Sequence, residues 1–400
     1  MPSPSWSRSN STARIARVAR ALYIHWPFCL KKCPYCDFNS HVRQDVDQAR
    51  WLTAMKADMQ AEAALAGNET LTSIFFGGGT PSLMEARTVA GLLEEAERLW
   101  GFAPDIEITC EANPTSFEAA RFRDFAAAGV NRVSLGVQSF EPEALRFLGR
   151  EHSVGEATAA LEAAQSIFDR VTFDLIYARP NQSPEEWERE LRHGLSFATR
   201  HLSLYQLTIE PGTRFATDVR RGDFAPLDDD AAADLFAVTR ELTESAGLPA
   251  YEISNHATSG QESAHNLTYW RYRDYVGIGP GAHGRRGGQA TTRHRKPENW
   301  LAAIDSDGSG IAETRELSVR EQASEALLMG LRLREGIDRV ELGRRFGLEP
   351  DRLLRIDRLA LYTDLGFVRT EGARIAITPA GMPLLDALLG ELVDDGLVTS

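Results

Sequence analysis

Six short runs of apolar and β-branched residues, at 21–26, 72–76, 106–110, 132–137, 172–177 and 202–207, are separated by longer stretches of helical period such as 51–65. This alternation constrains the fold more than any other feature of the sequence. Two parallel strands can be joined only by a crossover of roughly a dozen residues or more, and a helix supplies the crossover while covering one face of the sheet. The chain is therefore expected to be an α/β protein in which repeated strand-helix units build a parallel sheet. In such a fold the chemistry lies on loops that follow the C-terminal ends of the strands.

Outside this pattern the texture changes. Residues 1–20 are rich in Ser and Arg, contain no acidic residue, and lack the apolar segment of about 7 to 15 residues that a secretory signal needs; a disordered tail is expected. The strand-helix units fill 21–215, the core. From 216 to 310 the rhythm loosens into Arg-Gly-Asp and a Gly-rich run at 277–288, read as an extension of the core. In 311–400, helices are expected at 320–331, 339–346 and 350–361, then a two-stranded wing at 367–378 and a last helix from 379, the order of a winged-helix domain. That region carries twelve Arg, no Lys and sixteen acidic residues, and the whole chain has a net charge of -13. Neither offers the basic face from which a nucleic-acid binder draws its affinity, so an interaction or capping domain is expected. No apolar stretch reaches the roughly 20 residues of a membrane span.

Three of the four cysteines fall in Cys29-Leu-Lys-Lys-Cys33-Pro-Tyr-Cys36, directly after the first strand. The cluster is too tight for a disulfide framework, and a reducing, cytoplasmic setting is expected. Three thiolates on one short loop can each hold one iron of a cubane cluster and leave the fourth iron open to a ligand. A closed zinc site needs four ligands, so His25 or His41 would have to complete it; that and plain burial are the alternatives. Pro27 and Pro34 restrict the loop, and Lys31 and Lys32 favour thiolate over thiol. Cys110 falls on an expected core strand and reads as a small buried hydrophobe.

After the second strand comes Gly77-Gly78-Gly79-Thr80-Pro81. Glycines let a backbone approach a ligand closely and offer their amides to it, although the same turn alone equally reads as a tight strand-to-helix connection. Glu111, Gln138 and Asp174 lie at or just past strand ends, and Arg150 follows on the next helix-loop. Singly each reads as a solvated or N-capping residue. Together they place a polar ring at one end of the sheet.

The segments Tyr23-Ile-His-Trp-Pro-Phe-Cys29, Phe76-Gly-Gly-Gly-Thr-Pro81, Glu111, Gly136-Val-Gln-Ser-Phe140, Gly149-Arg150 and Gly277-Ile-Gly-Pro-Gly-Ala-His283 resemble the radical-SAM superfamily and, within it, the oxygen-independent coproporphyrinogen III dehydrogenase-like family. The resemblance covers nearly the whole chain from Ala21. It implies a partial (βα)6 barrel whose cysteine loop carries a [4Fe–4S] cluster, with S-adenosyl-L-methionine chelated to the open iron and reductively cleaved to a 5′-deoxyadenosyl radical. It also implies S-adenosylmethionine contacts at Tyr23, Gly78, Gly79, Thr80, Glu111, Gln138, Arg150 and Asp174, and an adenine contact from the backbone of Phe38.

Two departures narrow the resemblance. The dehydrogenase loop has a fourth cysteine two residues after the third, where this sequence has Phe38, and the dehydrogenase has a longer N-terminal segment where this chain has a polar tail. Both features are similar to the haem-chaperone (HemW-type) branch, as is His265-Asn-Leu-Thr-Tyr269-Trp270, which implies haem ligation by His265. A neutral imidazole is a good axial ligand, and Tyr269, Trp270 and Tyr272 supply aromatic surface for a porphyrin. Read from the residues alone, His265 is more readily a hydrogen-bonded structural histidine beside core aromatics. His283, in the Gly-rich run, stands near the same region. The resemblance implies a chaperone that binds haem and delivers it to recipient haemoproteins, respiratory enzymes at the membrane among them, with a homodimer allowed and enzymatic turnover left open. The alternative is the dehydrogenase itself, which oxidatively decarboxylates coproporphyrinogen III; an RNA-modifying radical enzyme ranks last for want of a basic surface.

Overall fold

The first strand, β1 (Ala21–Trp26), is buried on both faces along nearly all its length, which is why it reads as a continuous apolar run. It is followed by β2 (Leu71–Gly78), β3 (Phe102–Ala112), β4 (Arg132–Gln138), β5 (Arg170–Tyr177) and β6 (His201–Gln206). All six are parallel and neighbour one another in chain order, the arrangement expected of successive strand-helix units. The computed structural model describes residues 21–66, 70–394 and 396–397, so the tail expected at 1–20 lies outside the described residues. Helices Gln48–Ala66, Ala86–Trp100, Val154–Gln165 and Pro184–Ser196 make crossovers between strands. The last two begin with capping boxes, Ser153 with Glu156 and Ser183 with Glu186, which satisfy backbone N–H groups that have no partner inside the helix. Two strands outrun their expected ends: β3 begins at Phe102, and β2 runs on through Gly78 because His25 and Trp26 of β1 still pair with Gly77 and Gly78.

Later segments extend the sheet at both edges. At one edge β7 (Asn255–Ala257) lies antiparallel to β6. At the other, β8 (Tyr275–Ile278) pairs in parallel with β1, and β9 (His283–Arg286), β10 (Gln289–Arg293) and β11 (Ile311–Glu316) follow as an antiparallel meander. Among the described residues this makes an eleven-stranded sheet; β11 is part of it although it lies beyond residue 311. A buried ionic cluster fastens the meander to the core. Arg293 is fully buried between Asp58 at 2.8 Å and Glu62 at 2.9 Å, and Arg286 reaches Glu62 at 2.6 Å. Asp58 also accepts the amides of Gly279 and Gly310. Beside it Trp51 and Trp300 stack with centroids 5.3 Å apart.

From Val319 onward the chain forms a separate core. Helices Val319–Gly330, Arg339–Phe346 and Ile356–Asp364 pack with a three-stranded sheet of Ile337–Asp338, Arg374–Ile377 and Val368–Glu371, around Leu327, Leu331, Phe346, Leu359 and Ile375. The third helix differs from the expected 350–361: a 3-10 turn at Pro350–Arg352 precedes it. The break arises because Leu353 and Leu354 turn into the core and Leu354 bridges to Val393. Tyr272 enters this core from the extension, its hydroxyl donating to Glu325 at 2.5 Å.

Removing one carboxylate from a buried cluster strands the remaining charge. Asp58→Ala should therefore destabilise the protein by about 3 kcal/mol. Urea unfolding at neutral pH measures this, and a change within about 0.5 kcal/mol, the usual range of a surface substitution, would show that the cluster does not hold the meander.

Candidate functional site

The loop after β1 and the turn after β2 are bound to each other through their backbones. Gly79 N donates to Trp26 O at 2.7 Å and Thr80 N to Phe28 O at 2.8 Å. A Cβ on Gly79 would stand 2.6 Å from Phe28 O, and Gly78 adopts φ +113 with its missing Cβ 2.5 Å from the His25 ring; no other residue type fits this contact. The expectation that these amides face a ligand is not met. The Gly78 amide points to Glu111 Oε2 at 3.2 Å, so all three N–H groups are spent inside the protein and the turn offers a ligand its carbonyls and the Thr80 hydroxyl.

Cys29, Cys33 and Cys36 form no disulfide and line one cavity of about 390 Å³ at the C-terminal end of the strands. Phe38, Gly78, Gly79, Thr80, Glu111, Gln138, Arg150 and Asp174 line it too, so residues scattered along the chain meet there. Thr80 Oγ1 lies 3.4 Å from Cys29 Sγ. Arg150 lies 3.4 Å from Cys33 Sγ and the charge of Lys32 acts to lower the Cys36 thiol, whereas Lys31 pairs with Glu151 at 3.2 Å. Burial pushes the Cys29 and Cys36 thiols up, so deprotonation there requires a positive partner. Among the described residues no three His, Cys, Asp or Glu gather as a single metal ion requires. His25 could not complete a zinc site as it stands, since its ring contacts Tyr23 Oη at 3.0 Å and Asn39 O at 2.9 Å. Thiols spaced around a loop suit a cluster, in which each binds a different iron.

The polar ring beyond the thiols carries unspent bonding capacity. Gln138, at φ 69, holds the left-handed backbone rarely taken by a non-glycine residue, and its buried Oε1 has no partner. Arg150 donates to Asn113 Oδ1 at 2.6 Å and Gly136 O at 2.7 Å, while its Nε has none. Burial pushes the Glu111 carboxyl up to about 8, helped by the nearby Asp174 and opposed by the Gly78 amide. Asp174 is itself raised to about 6 by burial, against the Ser203 hydroxyl. Two carboxyls that resist ionisation, set among unpartnered polar atoms, suit a polar ligand carrying positive charge. Asn113 and Glu118 were not singled out from sequence. Glu118 accepts from Ser82 and from Asn113 N at 2.7 Å, holding Asn113 against Arg150; the Asn113-Pro114 step just past β3 was the available signal.

A second cavity, of about 820 Å³, shares Phe38, Gly78 and Glu111 with the first. Tyr23 lies here and not on the first, with Tyr205, Tyr269, Trp270, Tyr275, His283, Arg285, Arg295 and Arg332. His265 lines neither cavity. It is 1 % exposed, stacked on Phe75 at 5.0 Å, with Nδ1 3.1 Å from Ser73 Oγ and Nε2 2.6 Å from Tyr269 Oη. Burial lowers its pKa to about 3, so the imidazole is neutral. Its helix, Ala264–Trp270, is anchored by buried Glu107, which accepts from Ser263 Oγ and from the amides of Ala264 and His265 and pairs with Arg170 at 2.8 Å.

Comparison with known proteins agrees with this architecture. The radical SAM superfamily model matches residues 23–193 and the HemN C-terminal domain model matches 317–384. The chain is 40% identical over 331 residues to mouse (Mus musculus) radical S-adenosyl methionine domain-containing protein 1, mitochondrial, covering 80% of this chain and 75% of that protein. It is 40% identical over 338 residues to the heme chaperone HemW of Escherichia coli K12 (83% and 87%) and 36% identical over 376 residues to HemW of Mycobacterium tuberculosis H37Rv (93% and 94%). The solved structure of coproporphyrinogen III oxidase (HemN) from Escherichia coli superposes with a TM-score of 0.80 at 22% identity, over 94% of this chain and 91% of that one, which shows the same fold.

The raised Glu111 carboxyl predicts a pH signature. Below its ordinary value of 4.5 folded and unfolded chains both hold the proton; between 4.5 and about 8 only the folded chain does, so stability is lost as pH rises through that window. Glu111→Gln keeps an acceptor for Gly78 and removes the titration. Thermal unfolding of the ligand-free variant should match wild type at about pH 4 and exceed it above about pH 8, and a constant difference across that range would refute the assignment.

Proposed function

This chain belongs to the radical-SAM family that includes the heme chaperone HemW and radical S-adenosyl methionine domain-containing protein 1, and from that membership we propose that it is a haem chaperone that works with a [4Fe–4S] cluster and S-adenosyl-L-methionine. The observation that carries the reading is the pair of adjoining cavities. One presents three thiols and a polar ring; the other presents aromatic walls, two imidazoles and arginines. A volume of about 820 Å³ lies in the range of ligand pockets.

Cys29, Cys33 and Cys36 would hold the cluster, which when bound supplies an open iron and one-electron reducing power. Gly78, Gly79 and Thr80 would receive the amino end of S-adenosylmethionine through carbonyl and hydroxyl oxygens, the acceptors an ammonium needs. Glu111 and Asp174 would lie near its positive charge, and the unpartnered Gln138 Oε1 and Arg150 Nε would complete the polar contacts. The Phe38 backbone would meet the adenine at the junction of the cavities, with Tyr23 behind it on the haem side. Haem is the cargo. His265 as its ligand would require displacing Ser73 or Tyr269; in the present geometry it props the Tyr269 wall. Recipients in this reading are apo-haem proteins, including respiratory enzymes at the membrane, in a reducing compartment such as the cytoplasm that keeps the thiols free. No helix among the described residues is long and apolar enough to cross a membrane.

The dehydrogenase reading has support only in the shared fold. Decarboxylation requires a substrate carbon held close to the reacting centre, and small misplacements cost large factors in rate. Anaerobically reconstituted protein should bind about four iron and four sulfide per chain, lost when all three cysteines become Ala. It should pass bound haem to an apo-haem protein and form no protoporphyrinogen from coproporphyrinogen III with reductant and S-adenosylmethionine. Several turnovers of decarboxylation without haem transfer would reverse this conclusion.

A further inference from the structure

Among the described residues His25 and His283 line the second cavity and His265 stands beside it, and of these three only His283 has a free nitrogen. Both nitrogens of His265 contact hydroxyls, and those of His25 contact Tyr23 Oη and Asn39 O. His283 opens β9 and is exposed on the cavity wall; among the described residues neither of its ring nitrogens has a hydrogen-bond partner. A haem iron needs one uncommitted nitrogen lone pair, and His283 supplies it without breaking a contact in the fold.

The charges nearby are those a porphyrin with two propionates requires. Arg285 is 6% exposed, its Nε has no partner, and its guanidinium lies 3.5 Å from the centre of the Tyr272 ring. Arg295 is exposed on the same cavity, and among the described residues no carboxylate pairs with it. Of the two acidic residues on this cavity, Glu252 is turned into its own loop, accepting from the amides of Ile253, Ser254 and Asn255, and Glu111 accepts the amide of Gly78. Tyr269 and Tyr275, edge to face at 4.4 Å, provide ring surface for a flat macrocycle.

Resting on the haem reading above, we propose that His283 is the protein ligand to the haem iron, and that Arg285 and Arg295 pair with the propionates. An isolated arginine held without a counter-ion in a protein of net charge -13 is explained when an anionic ligand completes it. His265 then acts as a positioning residue: it fixes Tyr269, and the helix Ala264–Trp270 presents Trp270 to the same cavity.

The test is a haem titration of the full chain, anaerobic and cluster-loaded, followed by its Soret and visible bands. His283→Ala should shift the bands and weaken haem binding by about tenfold or more, with cluster absorbance unchanged and free imidazole restoring the wild-type spectrum. His265→Ala should keep the imidazole-ligated bands even where affinity falls. Arg295→Gln should weaken haem but leave haem dimethyl ester, whose propionates are masked, bound as in wild type. If wild type binds no haem, the chaperone reading itself fails. If wild type binds haem and the His283→Ala bands do not move, or imidazole fails to restore them, the ligand assignment is overturned; equal effects of Arg295→Gln on haem and ester overturn the propionate assignment.

Discussion

Everything at this site depends on how closely two backbones approach. The start of the cysteine loop is placed by hydrogen bonds from Gly79 and Thr80 to the carbonyls of Trp26 and Phe28, and its far end by the Asn39 side-chain amide, which donates to Pro280 O and Arg295 O. The first contact exists only because positions 78 and 79 have no Cβ. The glycines thus serve the loop first and a ligand second. Once their amides are used to hold the loop, the surface left to face the cavity is rich in acceptors, which selects a donor such as an ammonium group.

The electrostatics follow from the same geometry. Glu111 is drawn to the glycine turn by the Gly78 amide and lies close to Asp174, both half-buried in the cavity wall. Such an arrangement works against folding, because burial penalises each charge and the two carboxylates repel. A site of this kind is retained where a ligand supplies the missing positive charge. The sheet is fastened elsewhere: Arg293 lies between Asp58 and Glu62, and Asp58 also accepts the amides of Gly279 and Gly310.

The parallel core could be read from the sequence because strands buried on both faces advertise themselves as apolar runs, and β1 came out at 21–26 as expected. Cys29, Gly78, Glu111 and Gln138 of the first cavity were also visible, each just past such a run. Three things were not visible. The pairing of β8 with β1 joins distant parts of the chain through a short strand without period. The expected third C-terminal helix is broken where Leu353 and Leu354 find tertiary partners, a case of packing overriding local propensity. The second cavity gathers Tyr205 from an expected strand, His283 from the Gly-rich run, and Tyr275, Arg285 and Arg295 from the irregular extension, a meeting that no single motif announces. Even the motif residue His265, conspicuous in sequence, conceals its partners Ser73 and Tyr269, which only the fold reveals.

Phe38, Gly78 and Glu111 line both cavities, so the two are not independent. A cationic ligand in the first favours the ionised form of Glu111. That charge then stands in the wall of the second cavity beside Tyr23, whose phenol Glu111 already holds above its ordinary range, after burial as the larger cause. An anionic ligand in the second cavity is repelled by the ionised carboxylate and tolerated by the neutral one. By thermodynamic reciprocity the anionic ligand must in turn disfavour ionisation of Glu111 and loosen the cation. Through this one carboxyl, occupancy of the thiol-lined cavity bears on how firmly the aromatic cavity keeps what it holds.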